Sequence, residues 1–142
     1  MAATAWTLYN NAKGKIGNAT INLASNVFYA QLHTSASNAS TTAMSLIGSV
    51  TGQVANANGY LTGGKTLSAN SWTASGDAYK FDGSDVWWSA NGGNISAIKY
   101  AVVRNSANHV ICWSRLTTSA FSLTSTNRLT IQMAAAGIFT LT

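Results

Sequence analysis

Charge is what this 142-residue chain has least of: only 8% of its residues are Asp, Glu, Lys or Arg, against about a quarter in an ordinary soluble protein. Glutamate is missing, and the carboxylates are limited to Asp77, Asp82 and Asp85. Chemistry that needs paired carboxylates therefore has almost nothing to draw on, which disfavours most hydrolase mechanisms. Cys112 is the only cysteine, so no intrachain disulfide forms, and stability has to come from packing or association. Proline is absent, which removes the commonest guard of exposed strand edges and favours edges covered by neighbouring subunits. No run approaches the roughly 18 apolar residues of a spanning helix. The start MAATAWTLYNNAKGK lacks the charged region and long apolar core of a secretory signal, so neither membrane embedding nor export is expected.

Hydroxyls and amides take the place of charge, since Ser, Thr, Asn and Gly together fill 60 positions. Against them stand 46% apolar residues, with five Trp, five Tyr and four Phe, bulky groups that stabilise only when buried, so the chain is expected to fold around a core. The net charge of +5 invites a nucleic-acid reading, but phosphate binding needs clustered bases. Lys13, Lys15, Lys65, Lys80, Lys99, Arg104, Arg115 and Arg128 are spread along the chain. A mild attraction to an acidic surface is the better expectation, with no nucleic acid and no membrane as partners.

No linker, charge block or fixed-period repeat divides the sequence, so residues 1–142 read as one domain. Apolar residues alternate at Ile21 and Leu23, at Phe28, Ala30 and Leu32, and at Ile98, Tyr100 and Val102. The same holds for Val110, Cys112, Ser114 and Leu116, and for Leu129, Ile131 and Met133. Each run predicts a strand with one side toward a core. Turn pairs such as Asn58-Gly59, Gly63-Gly64 and Asp82-Gly83 separate them. Two stretches depart from period two: Trp6, Tyr9 and Ile16 predict a short helix within 4–16, capped by Thr4 or Thr7. Met44, Ile47, Val50 and Val54 predict one or two helical turns within 42–54. The fold class expected is mainly β, an antiparallel β-sandwich, jelly-roll-like, with one or two short helices.

Candidate sites are few. Asp77, Asp82 and Asp85 lie close together, but their spacing is not that of a calcium loop. Asp82-Gly83-Ser84-Asp85 reads as a turn whose carboxylates accept backbone N–H groups, with Lys80 offsetting charge. His33 and His109 have no partner at metal-ligand spacing, and His109 and Cys112, three apart in a strand, would point to opposite faces. Gly59 to Lys65 lacks the Gly-Lys-Ser/Thr of a phosphate loop. No catalytic residue, metal or cofactor is therefore expected, and the chain is read as a non-enzyme. The adjacent Trp87 and Trp88 place one indole in the core and the other on the opposite face, either at a subunit contact or as a stacking platform for a sugar. With Trp6 and Tyr9 they make the candidate interface.

The ordered motifs resemble a widespread family of small tailed-phage virion proteins. They run from Leu8-Tyr9-Asn10 and Ile21-Asn22-Leu23 through Phe28-Tyr-Ala-Gln-Leu32-His33-Thr34-Ser35 to Val54-Ala-Asn-Ala-Asn-Gly-Tyr60-Leu-Thr-Gly63-Gly64. Trp72-Thr73, Phe81-Asp82, Val86-Trp87-Trp88-Ser89-Ala90, Ile98-Lys-Tyr100-Ala101-Val102 and Gly137-Ile138-Phe139 continue the likeness over nearly the whole chain. Where relatives often carry acidic residues in the first helix and the strand after it, this chain has Asn, Ala and Lys. The resemblance implies a capsid decoration or cement protein on the virion's capsid exterior, made in the host cytoplasm. Its expected partners are copies of itself, as a homo-oligomer with a trimer preferred, and the major capsid protein. A tail, baseplate or fibre component, or a carbohydrate-binding module, is the alternative.

Overall fold

The computed structural model describes residues 5–142. Its largest sheet is built on the apolar run of β7 (Ile95–Asn105), which pairs antiparallel with β2 (Phe28–Thr34) on one side and β8 (Val110–Arg115) on the other. β1 (Thr7–Leu8) extends the sheet beyond β8, β3 (Lys65–Leu67) extends it beyond β2, and β9 (Phe121–Leu123) pairs with the first residues of β7. A three-stranded sheet runs in the order β11 (Phe139–Leu141), β5 (Ala78–Asp82), β4 (Ser71–Ser75), and a two-stranded ribbon joins β6 (Val86–Ser89) to β10 (Arg128–Ile131).

Aromatic packing holds the small sheet to the large one. Phe28 of β2 meets Phe81 of β5 edge-on at 4.9 Å between ring centroids, and Phe139 of β11 stacks on Phe81 at 5.3 Å. Trp88 of the ribbon lies 6.3 Å from Tyr60. The result is the mainly β, antiparallel, sandwich-like arrangement expected from sequence, with one hydrophobic core. Jelly-roll connectivity is not carried by this strand order, which divides the chain into sheets of six, two and three strands.

The central strands depart from simple alternation. Ala101, Val102 and Val103 are all buried, as are Val110, Ile111 and Cys112, so β7 and β8 are covered on both faces at mid-strand. One covering element is α1 (Asn10–Gly17), which buries Ala12 and packs on β8. Another is the segment 37–54, tied down by Tyr9 donating its hydroxyl to Ala39 O at 2.6 Å and by the amide of Val110 bonding Ser45 O.

Two sequence expectations are corrected, and a third is met at its lower bound. The first helix begins at Asn10, because Thr7 and Leu8 pair with Trp113 and Cys112 as an edge strand. Its N-cap is Tyr9, without a side-chain cap bond, and Thr4 lies outside the described residues. Ile21 and Leu23 are buried but form no strand: the Asn22 side chain accepts from the amides of Ala24 and Ser25 and closes a turn instead. Within 42–54 the helical pattern shortens to a single 3-10 turn, Ile47–Ser49, as the amides of Ile47 and Val110 bond to Asn108 O and Ser45 O.

Candidate functional site

The β6–β10 ribbon alternates cleanly, with Val86, Trp88, Leu129 and Ile131 inward. Trp87 opposite Thr130 and Ser89 opposite Arg128 take the other face. Trp87 is 41% exposed. Arg128 comes back over its ring, with the guanidinium carbon 4.0 Å from the ring centroid, and Lys65 Nζ lies 3.7 Å from the same centroid.

Lys65 owes its place to the glycine before it. Gly64 has φ +81, and a Cβ there would stand 2.1 Å from Ala30 O. Only glycine lets the chain turn this close to β2 and start β3 beside it. The neighbouring Gly63 O accepts from Arg104 Nη2 at 3.1 Å, which braces the same turn.

Two cations over one indole gain from its quadrupole about 0.5–1 kcal/mol each at an exposed site, but they also repel each other. Burial, and then the charge of Arg128, pull the Lys65 ammonium below its usual range. No carboxylate of the described residues stands within ion-pair distance of either cation: Asp82 pairs with Lys80 at 3.2 Å, and Asp85 accepts the amide of Met133 at 2.8 Å. The cluster is a positively charged aromatic patch in which Lys65 is half-buried and Arg128 exposed.

The four candidate interface residues are not brought together. Trp88 and Tyr9 are 1% and 0% exposed, so neither can anchor a partner in the folded chain. Inward alternation in β6 buries the first, and its place between β1 and α1 buries the second. Trp6 is half-buried and lines a depression of about 460 Å³ with Leu8 and residues 137–140. Of the four, Trp87 alone is exposed, with Lys65 and Arg128 over its ring.

Asp82 and Asp85 accept backbone amides, as their sequence context suggests, but only Asp82 does so locally, from Gly83, while Asp85 reaches Met133 across the ribbon. His33 sits in β2, fully buried, its ring nitrogens 3.2 Å from Thr51 O and from Gln31 Oε1. Burial lowers its pKa, opposed in part by the Thr51 carbonyl. Burial likewise pushes the Cys112 thiol well above its usual range, which leaves it inert as a nucleophile. Among the described residues no three His, Cys, Asp or Glu side chains gather as metal ligands.

Sequence reasoning missed two clusters. Lys65 and Arg128 carry no periodic signal linking them to Trp87, because strand pairing and a glycine turn make the connection. The second cluster joins Lys15 of α1 to Ser45 Oγ at 2.8 Å and to His109 Nδ1 at 2.7 Å. Lysine has donors only, so Nδ1 is the acceptor and the His109 proton sits on Nε2. No protein-family model, no curated protein and no solved structure matches the chain.

Proposed function

We propose that this chain is a structural protein of a tailed-phage virion: a capsid decoration or cement protein that docks on the outside of the head lattice as a homotrimer. The observation that carries the proposal is the Trp87 patch. An exposed tryptophan flanked by Arg and Lys on a rigid antiparallel ribbon has the make-up of a protein-contact anchor. The order of motifs along the chain, similar to that of small tailed-phage virion proteins, supplies the setting.

A cement protein acts by binding, not by turnover. Weak contacts repeated by symmetry add through high effective concentration, and a protein that binds only the expanded shell stabilises that shell by mass action. A folded β scaffold with a buried core and one adhesive face suits that task. The sugar-binding alternative needs an open ring face for stacking, and Lys65 and Arg128 already lie over the ring of Trp87.

The test is the copy number of this chain relative to the major capsid protein in purified virions, by quantitative mass spectrometry. A ratio near one is expected. A few copies per hundred would move the protein to the tail, and absence from virions would overturn the proposal. Sedimentation of the isolated protein is expected to show trimers.

A further inference from the structure

We propose that the Lys65–Trp87–Arg128 cluster is a receptor for carboxylate side chains on the surface of an acidic partner protein. The inference rests on reading the chain as a docking protein and names the chemistry of what it docks to.

Three observations carry it. First, Lys65 Nζ and the Arg128 guanidinium both lie within 4.0 Å of one ring centre with no carboxylate of the described residues in ion-pair reach. Two like charges on one ring repel each other, and an anion that approaches either of them relieves that repulsion. Second, Lys65 is half-buried against the indole, so a partner carboxylate meets one charge already partly desolvated, with the exposed Arg128 free to reach toward it. A planar guanidinium can offer two parallel N–H groups to one carboxylate, and the ammonium offers a point charge to the same or a neighbouring one. Third, the cluster is compact. Lys80 is paired with Asp82, and Lys15 is engaged by Ser45 and His109. Arg104 is spent on Gly63 O, Asn105 O, Asn108 Oδ1 and the ring of Tyr29. Lys80 is charge-paired, and the donors of Lys15 and Arg104 are committed within the fold, which makes these three poorer ligands for a phosphate backbone. A two-cation aromatic anchor instead suits the local carboxylates of a folded protein surface.

Binding of the full chain to poly-L-glutamate at low salt, followed by tryptophan fluorescence, tests the inference, with duplex DNA and heparin as parallel probes. The wild-type protein should bind poly-L-glutamate, and Lys65→Gln/Arg128→Gln should weaken binding roughly tenfold or more, the worth of one lost charge-assisted bond. Lys13→Gln/Lys99→Gln removes the same net charge elsewhere and should leave binding within about twofold. Thermal melts of all variants establish that each is folded. Trp87→Phe identifies the emission change as local. No binding, or equal losses in the two double variants, would overturn the proposal. So would binding to DNA or heparin but not to poly-L-glutamate, which would reassign the patch to phosphate or sulfate. Virion copy number is read independently: binding without incorporation overturns the virion reading alone, and incorporation without binding overturns the carboxylate receptor alone.

Discussion

Phe81 touches both Phe28 and Phe139 and is fully buried, so its removal opens a cavity where two sheets meet. Phe81→Ala is expected to cost about 3–5 kcal/mol, read as a lowered urea midpoint at unchanged slope. Trp87→Ala, at a 41% exposed position, is expected to cost no more than about 1 kcal/mol, which separates the docking role proposed for this indole from the packing role of the buried Trp88. Gly64→Ala forces a side chain into a backbone at φ +81 whose Cβ site is 2.1 Å from Ala30 O. The expected loss exceeds about 1 kcal/mol, and Lys65 should shift away from Trp87, visible as altered Trp87 emission. At this scale the sequence already shows that Trp87 and Trp88 must face opposite ways, because adjacent strand residues do. Which of them faces the core depends on what the ribbon packs against, and no local pattern contains that.

The helix α1 is a short element with weak intrinsic stability, since isolated helices below about 12 residues are marginal. Its attachment depends on named contacts: the amide of Asn10 bonds Thr42 O, Asn11 Nδ2 donates to Ala43 O, and Lys15 bridges Ser45 and His109. Burial, and then the charge of Lys15, lower the pKa of His109. The groups around it are Lys15 from α1, with Ser45 of the 37–54 segment on the same ammonium, and Asn105 at the end of β7, which accepts its backbone amide. The bridge needs a neutral imidazole; with its pKa lowered, the docked ring stays neutral as pH first falls below 6.5 while the undocked ring takes up a proton, so docking of α1 weakens progressively below about pH 6.5. Amide exchange of α1 is expected to accelerate below about pH 6 while β7 and β8 stay protected, and His109→Gln should abolish the pH dependence. The sequence legibly marks β2, β7, β8 and β10. Register slips at His33/Thr34 and Val103/Arg104 and the positive φ of Ala97 leave no trace in alternation, because a bulge adds a residue without changing composition. Ile21 and Leu23 mislead for another reason: Asn22 captures the local amides before a partner strand can.

Stability of the whole molecule should have both an acid and an alkaline limit. His33 is fully buried and its folded-state pKa is lowered, first by burial. The unfolded chain therefore takes up protons first, and stability is full above about pH 6.5 and falls as pH drops below it, by up to about 1.4 kcal/mol per pH unit for this one group. Tyr9 and Cys112 are raised instead, chiefly by burial, so the unfolded chain loses protons first and stability declines above about pH 9. Urea midpoints across pH 4–11 are expected to trace a plateau between these limits, and a flat profile below pH 6 would contradict the role given to His33. The sequence by itself determined that the chain folds as a mainly β protein around an aromatic-rich core. It also left carboxylate chemistry almost no residues, because composition and period-two alternation act locally and survive any arrangement of strands. Only the tertiary structure decided that β7 and β8 are covered on both faces. It also decided that Tyr9 is core and that Lys65 and Arg128 converge on Trp87. Each of these outcomes depends on long-range strand pairing and on one glycine turn, and such contacts between residues far apart in the chain are not encoded in any local window.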